Sequence, residues 1–232
     1  MSGADNHCAR DALALLQSCG HGRTSVAERL LAAGVSPNAV IGSDEAISVI
    51  LSELSTPEAE TELGRPLPWP LLIGTTPAMV AAWGGHAGVI ECLALRGADL
   101  NQASPAGMTA LHFAAENGRV EAALELVRKG AALDMLDERG VSPLGMAAYY
   151  GRYPSESLAI VEMLLRHGAS LASVNGDSLR AATEWHREKK MGADWGWTMD
   201  PEMTALLNAA EESSEISRSI GAAPKGRRAR AL

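Results

Sequence analysis

The sequence lacks the residue patterns of a disulfide-stabilised, metal-binding or membrane protein. Its three cysteines, Cys8, Cys19 and Cys92, form no CxxC pair, so neither a disulfide framework nor a zinc site is expected. Acidic residues stand near the N-terminus where a signal peptide would carry basic ones. No run reaches the roughly 18 apolar residues of a membrane span. These absences predict a cytoplasmic protein that has no membrane partner.

Sequence motifs for catalysis are also missing. The chain contains no GxxxxGK[ST] phosphate loop, no GxSxG nucleophile elbow and no HExxH metal-binding helix, and its six histidines are scattered. We therefore expect no catalytic residues, no cofactor, no metal and no enzymatic activity.

Positive charge is scarce outside the C-terminal end. The 232 residues carry a net charge of −8, but the last twenty contribute +4, so the remainder carries −12. An acidic body of this kind repels nucleic acid and anionic membranes, and it suits a basic protein partner. The apolar fraction of 47% is typical of a globular protein, and aromatic residues make up only 4%.

What the sequence does contain is an internal repeat. The segment starting at Gly74 aligns with the segment starting at Gly107, which gives a step of about 33 residues. A third copy places Ser142 one such step after Thr109. Its closing glycine, Gly168, lies five places beyond the position that the repeat predicts, so five residues are inserted after Gly151.

These repeats resemble the ankyrin family, whose units of about 33 residues carry a T-P-L-H-x-A pattern. Thr109 to Gly118, TALHFAAENG, matches that pattern best. The resemblance implies an all-α solenoid of about five helix-pair units, with atypical units at its ends. The domain is expected to cover 5–212, with units at 5–38, 71–103, 104–136, 137–174 and 175–212.

The repeated polar positions agree with helix-pair units. Thr76, Thr109 and Ser142 are predicted helix N-caps, and a glycine ends the second helix of each unit. His86 and His112 occupy positions where ankyrin repeats commonly carry histidine, so the resemblance implies structural roles for both. Met79 replaces the histidine of the pattern in its own unit, which predicts that the hydrogen bond linked to that histidine is absent there.

An insertion at 39–70 separates the first two units. It is expected to hold a short helix from Ser43 to Leu54 and a proline-rich piece around Trp69. The insertion is either an acidic arm for a basic partner or a solvated helix folded over the first repeats. The acidic residues of the arm are Asp44, Glu45, Glu53, Glu58, Glu60 and Glu62.

Two features stand out near the C-terminal end. Trp195 and Trp197 are expected to close the core of the last unit. Residues 213–232 are expected to form a disordered basic tail, with a nucleic-acid or localisation role as the alternative.

In ankyrin proteins, partners contact mainly the hairpin tips and the first helix of each unit. Four of the nine aromatic residues fall on this predicted face, and the repeat spacing should align Trp83, Glu116 and Tyr149 across neighbouring units. Alternatively, the rings fill gaps between helix layers. The predicted partner-binding residues are Thr75, Val80, Trp83, Met108, Phe113, Glu116, Asn117, Glu138, Arg139, Val141, Met146, Tyr149 and Tyr150.

The resemblance therefore predicts a monomeric, non-catalytic module that binds a partner protein through its concave face. Two more specific functions remain open at this point. One is an immunity or antitoxin protein that neutralises a basic toxin or enzyme, because an acidic body would speed association with such a partner. The other is a secreted effector directed at a host cell.

Overall fold

The structure is a computed structural model. It describes residues 3–40, 74–150, 153–171, 202–203, 205–210 and 212–213. Within these ranges the ordered elements are helices and no strand occurs.

The helices form successive pairs joined by short turns. Their bounds are α1 Gly3–Gly20, α2 Thr24–Ala32, α3 Pro77–Gly84, α4 Ala87–Leu95, α5 Ala110–Glu116, α6 Val120–Arg128, α7 Pro143–Tyr150 and α8 Pro154–Arg166. Residues 202–203, 205–210 and 212–213 are also helical. The predicted all-α solenoid of helix pairs is confirmed.

The pairs stack in two layers. Helices α1, α3, α5 and α7 contact one another in chain order and form the first-helix layer. Helices α2, α4, α6 and α8 do the same and form the second-helix layer. Each unit therefore packs mainly against its neighbours in the chain, as in a solenoid.

The repeat period sets where these helices start. Helices α3, α5 and α7 begin at Pro77, Ala110 and Pro143, so their starts are equally spaced by one repeat. The inserted residues of the third copy fall at the start of the second helix, since α8 has 13 residues whereas α4 and α6 have nine each. The extra residues therefore lengthen a helix at its N-terminal end.

The core consists of equivalent apolar residues from successive units. Leu93, Leu126 and Leu164 are fully buried in the second-helix layer. In the first-helix layer, Ala81 and Ala114 are fully buried, and their small side chains let neighbouring helices approach closely. Burying a leucine of this kind contributes about 1.5–3 kcal/mol of transfer free energy, so the row is a main source of stability.

The predicted helix caps are present. The Thr76 hydroxyl accepts a hydrogen bond from the Met79 backbone N–H at 3.3 Å, and the Ser142 hydroxyl accepts one from the Gly145 N–H at 3.1 Å. Thr109 occupies the equivalent N-cap position before α5. These contacts satisfy backbone donors that have no partner within the first helical turn.

Met79 departs from the expectation for its position. The Thr76 backbone N–H donates to the Met79 sulfur at 3.4 Å, so a hydrogen bond within the first turn of α3 is present, although the histidine is not. The sequence predicts that the hydrogen bond linked to the histidine is absent from this unit. For the bond within the turn that expectation is wrong, because the Met79 sulfur takes the place of the histidine nitrogen as acceptor. A thioether has no donor, however, and Met79 cannot donate to the next unit.

Candidate protein-binding face

The connection between the third and fourth units is a tight turn built around Asp137. Its buried carboxylate accepts hydrogen bonds from the backbone N–H groups of Arg139 at 2.9 Å and Val141 at 2.8 Å. The Arg139 guanidinium pairs with the same carboxylate at 2.7 Å. The Asp137 backbone N–H also donates to the Val141 carbonyl at 2.9 Å. Several contacts therefore fix this turn.

The preceding connection uses Ser104 at the equivalent position of the repeat. The Ser104 hydroxyl accepts from the Met108 N–H at 3.2 Å, and the Ser104 N–H donates to the Met108 carbonyl at 2.9 Å. The two connections are also joined, because the Glu138 N–H donates to the Ala106 carbonyl at 3.1 Å. These two neighbouring turns are thus tied to each other on the same side of the stack.

A second row of hydrogen bonds ties the units together beyond their second helices. The Asn38 side-chain oxygen accepts from the Asp99 N–H at 2.7 Å. Asn101 accepts in the same way from the Ala132 N–H at 2.7 Å. Asp134 accepts from the Ser170 N–H at 2.8 Å. Each unit therefore fixes the backbone of the next.

His112 joins the third unit to the fourth from inside the core. The Thr109 N–H donates to its Nδ1 at 3.1 Å, so the neutral ring carries its proton on Nε2, which donates to the Val141 carbonyl at 3.0 Å. Burial lowers the pKa of His112 below its ordinary value of 6.5, because the charged imidazolium would lose its hydration. This is the structural role that the sequence predicts.

His86 joins the second unit to the first. Its Nε2 donates to the Gly20 carbonyl at 3.0 Å, and the ring lies so close to Gly22 and Gly84 that a Cβ at either position would fall 2.5 Å from a ring atom. Burial lowers the pKa of His86, and the nearby His21 and Arg119 lower it further. Here too the histidine is structural.

Arg119 occupies the position equivalent to His86 in the third unit. Its Nε donates to the Trp83 carbonyl at 3.1 Å, at the end of the first helix of the preceding unit. The residues immediately before α4 and α6 thus both bond back to the preceding unit. The sequence does not indicate this role of Arg119 directly. The signal was its position one full repeat after His86.

The structure places five of the predicted partner-binding residues inside the fold. Val80 and Met146 lie in the first-helix layer, and Val141 is buried beside His112. The buried residues of the predicted set are Thr75, Val80, Asn117, Val141 and Met146. These side chains lie beneath the face and support it, and they are not accessible to a partner because the stacked units cover them.

The remaining described side chains of the predicted set reach solvent. Trp83, Glu116 and Tyr149 lie at or near the ends of α3, α5 and α7, and each is half-buried. Phe113 and Tyr149 also pack against the core, as the alternative interpretation of the rings expects. The accessible residues are Trp83, Met108, Phe113, Glu116, Glu138, Arg139 and Tyr149.

Sequence reasoning missed two exposed apolar side chains beside this set. Met135 and Leu136 lie in the connection after α6 and are 37% and 52% exposed. They lie directly before the Asp137 turn, in the connection between the third and fourth units. No periodic pattern marks them, because the equivalent residues Gln102 and Ala103 are not large and apolar.

Other predicted features lie outside the described residues. They are the acidic arm, Trp69, Trp195, Trp197, the 213–232 tail apart from residue 213, and the side chain of Tyr150.

Within the described part of the chain, no cluster of three or more metal-ligating side chains occurs. Cys19 and Cys92 are free and buried, and burial raises the pKa of both thiols. A buried thiol with a raised pKa is a poor nucleophile, because only the thiolate reacts readily. None of the helices in the described ranges is both long and apolar enough to cross a membrane.

Comparison with known proteins places the repeats in a family. The family described as ankyrin repeats (3 copies) matches residues 78–175. The mouse protein cyclin-dependent kinase 4 inhibitor B is 33% identical over 120 residues, which are 51% of this chain and 84% of that protein. The chain belongs to the ankyrin-repeat family, whose repeats generally mediate protein–protein interaction.

A second relative matches a shorter stretch of this chain. Human neurogenic locus notch homolog protein 1 is 40% identical over 74 residues, or 32% of this chain. The match spans 3% of the length of that protein. The rat cyclin-dependent kinase 4 inhibitor B is 32% identical to this chain over 120 residues, which are 51% of this chain and 84% of that protein.

Proposed function

We propose that the chain is a non-catalytic module that binds a partner protein through the ends of α3, α5 and α7 and the turns that precede them. The observation that carries the proposal is the row of Trp83, Glu116 and Tyr149. These residues occur one repeat apart, at the same position of three stacked helices, and each keeps part of its side chain accessible.

The chemistry of this row suits a protein interface. Tryptophan and tyrosine supply large contact areas at a small cost in side-chain entropy, and they dominate the binding energy of many interfaces. Helices that are tied to their neighbours hold the rings in place before the partner arrives. Such a rigid surface loses less conformational freedom on binding than a flexible one.

Alanine substitutions test this face. Once a partner has been identified by affinity purification, Trp83→Ala and Tyr149→Ala should each raise its dissociation constant about thirtyfold in calorimetric titrations. Leu95→Ala is the matched control, because Leu95 is 75% exposed at the end of α4, in the other layer. Unchanged affinity in both aromatic variants, with unfolding transitions like wild type, would show that the face is misassigned.

A more specific candidate is inhibition of an enzyme by occlusion of its surface. The favouring observation is the 33% identity to cyclin-dependent kinase 4 inhibitor B over 84% of that protein. The net charge of −8 favours a basic target, whereas neither an immunity protein nor a host-directed effector gains support from the relatives. If the partner is an enzyme, a stoichiometric amount of the wild-type chain should stop its turnover. The same amount of the Trp83→Ala variant should leave the turnover of the enzyme largely unchanged.

We further propose that the chain acts as a cytoplasmic monomer. Its two described cysteines are unpaired, which agrees with a reducing compartment. Light scattering coupled to size exclusion tests the monomer directly, and a mass near twice 24.3 kDa would contradict it. Localisation of a tagged full-length chain tests the compartment.

A further inference from the structure

The connection between the third and fourth units carries two large, exposed apolar side chains directly before its turn. Leu136 is 52% exposed and Met135 is 37% exposed, side by side in the chain. Isolated exposed leucines are common in proteins and need no explanation. This pair differs because the residues on both sides of it, Asp134 and Asp137, are held by hydrogen bonds.

The support for the pair comes from the residues that flank it. On one side, the Asp134 carboxylate accepts the Ser170 N–H at 2.8 Å. On the other side, the Asp137 carboxylate is buried and holds the turn up to Val141. The side chain of Leu136 is therefore exposed to solvent, while the residues that flank it are held in place by hydrogen bonds. A side chain presented in this way is preorganised for binding, because little conformational freedom is lost when a partner covers it.

The charge around the pair is negative. Asp134 and Glu138 are exposed on either side of it. The carboxylate of Asp137 is paired with Arg139 at 2.7 Å, so the positive charge of Arg139 is balanced locally. A partner that covers the two apolar side chains would bring its own charges beside the two exposed carboxylates. Basic groups would gain energy there and acidic groups would be repelled.

We infer that Met135 and Leu136, framed by Asp134 and Glu138, form a docking point for a protein segment in which an apolar side chain is flanked by lysine or arginine. The inference rests on the proposed protein-binding function and deepens it, because it names the chemistry of the bound segment. It also adds an anchor outside the aligned row of Trp83, Glu116 and Tyr149.

A phage-displayed library of random peptides, selected against the folded full-length chain, tests the inference. The enriched peptides should combine an apolar residue with neighbouring lysine or arginine. Leu136→Ser should weaken the binding of the synthesised peptides at least about tenfold. Glu138→Gln should weaken it less, and mainly at low ionic strength, because an exposed charge pair is screened by salt.

Leu95→Ser is the matched control, since it also removes an exposed leucine but at the end of α4. It should leave peptide affinity unchanged. The inference is overturned if no peptide is enriched, if the peptides are acidic, or if Leu136→Ser binds them as tightly as wild type. Peptides that depend on Trp83 and Tyr149 but not on Leu136 would overturn it while leaving the proposed function intact.

Discussion

At the scale of single residues, His112 and Met79 show what one side chain contributes to the joining of units. Both occupy the same position of the repeat, but only His112 bonds to the next unit, through Nε2 and the Val141 carbonyl at 3.0 Å. We expect His112→Leu to lower the free energy of unfolding by about 1–3 kcal/mol, because the buried Thr109 N–H loses its acceptor and the Val141 carbonyl of the next unit loses its donor.

Urea denaturation measures this difference, and Met79→Leu is its control. That substitution conserves volume and removes only a 3.4 Å contact between an N–H group and sulfur, so its cost should stay under about 1.5 kcal/mol. Equal losses in the two variants would mean that the bond between units adds nothing beyond packing.

The same histidine makes stability depend on pH. Its pKa is lower in the folded chain than its ordinary value of 6.5, because burial disfavours the charged ring. Between the two values the unfolded chain binds more protons, so the stabilisation is complete above about pH 6.5 and is lost as the pH falls below it. The urea midpoint of the wild type should therefore fall between pH 7.5 and pH 5.5, and less steeply in His112→Leu. Parallel curves for the two proteins would contradict this.

At the scale of elements, the hydrogen bonds beyond the second helices should protect individual amides. We expect Asn101→Ala to speed hydrogen exchange at the Ala132 amide, which donates to the Asn101 side chain at 2.7 Å. The Ser170 amide is the internal control, because its acceptor Asp134 is unchanged. Equal acceleration at both amides would indicate general destabilisation rather than the loss of one bond.

The sequence predicts these elements well because their determinants are local. Thr76, Thr109 and Ser142 mark the starts of three first helices, since a hydroxyl that accepts a backbone N–H works within a single turn. The repeat spacing then places the remaining helices, including the stacking of their alanines.

The candidate face was harder to predict because burial depends on neighbouring units. Val80 and Trp83 belong to the same helix, yet the first is buried and the second is half-exposed. Their positions in the repeat assign both residues to the binding face and do not distinguish the buried side chain from the accessible one. Leu136 was missed for a related reason, because an apolar residue in a sequence is ordinarily expected to be inside.

At the scale of the whole molecule, a solenoid should come apart one junction at a time, because each unit mainly contacts its neighbours. The junction between the first two units is crowded around Gly84, where a Cβ would lie 2.5 Å from the His86 ring and 2.8 Å from the Gly20 carbonyl oxygen. Gly84→Ala must therefore displace the first unit or the ring that is bonded to it. We expect this variant to raise hydrogen exchange throughout α1 and α2, and much less in α6, α7 and α8.

Gly88→Ala is the matched control for that experiment. Gly88 lies within α4, and the nearest atom to its added Cβ is the Thr24 hydroxyl oxygen at 3.9 Å, an ordinary contact. Replacing a helical glycine by alanine should stabilise the chain by about 0.5–1 kcal/mol. If Gly84→Ala instead raised exchange equally in all four helix pairs, the described units would unfold as one cooperative body. Independent release of the first unit would then be ruled out, because damage at one junction would have reached the far end of the stack.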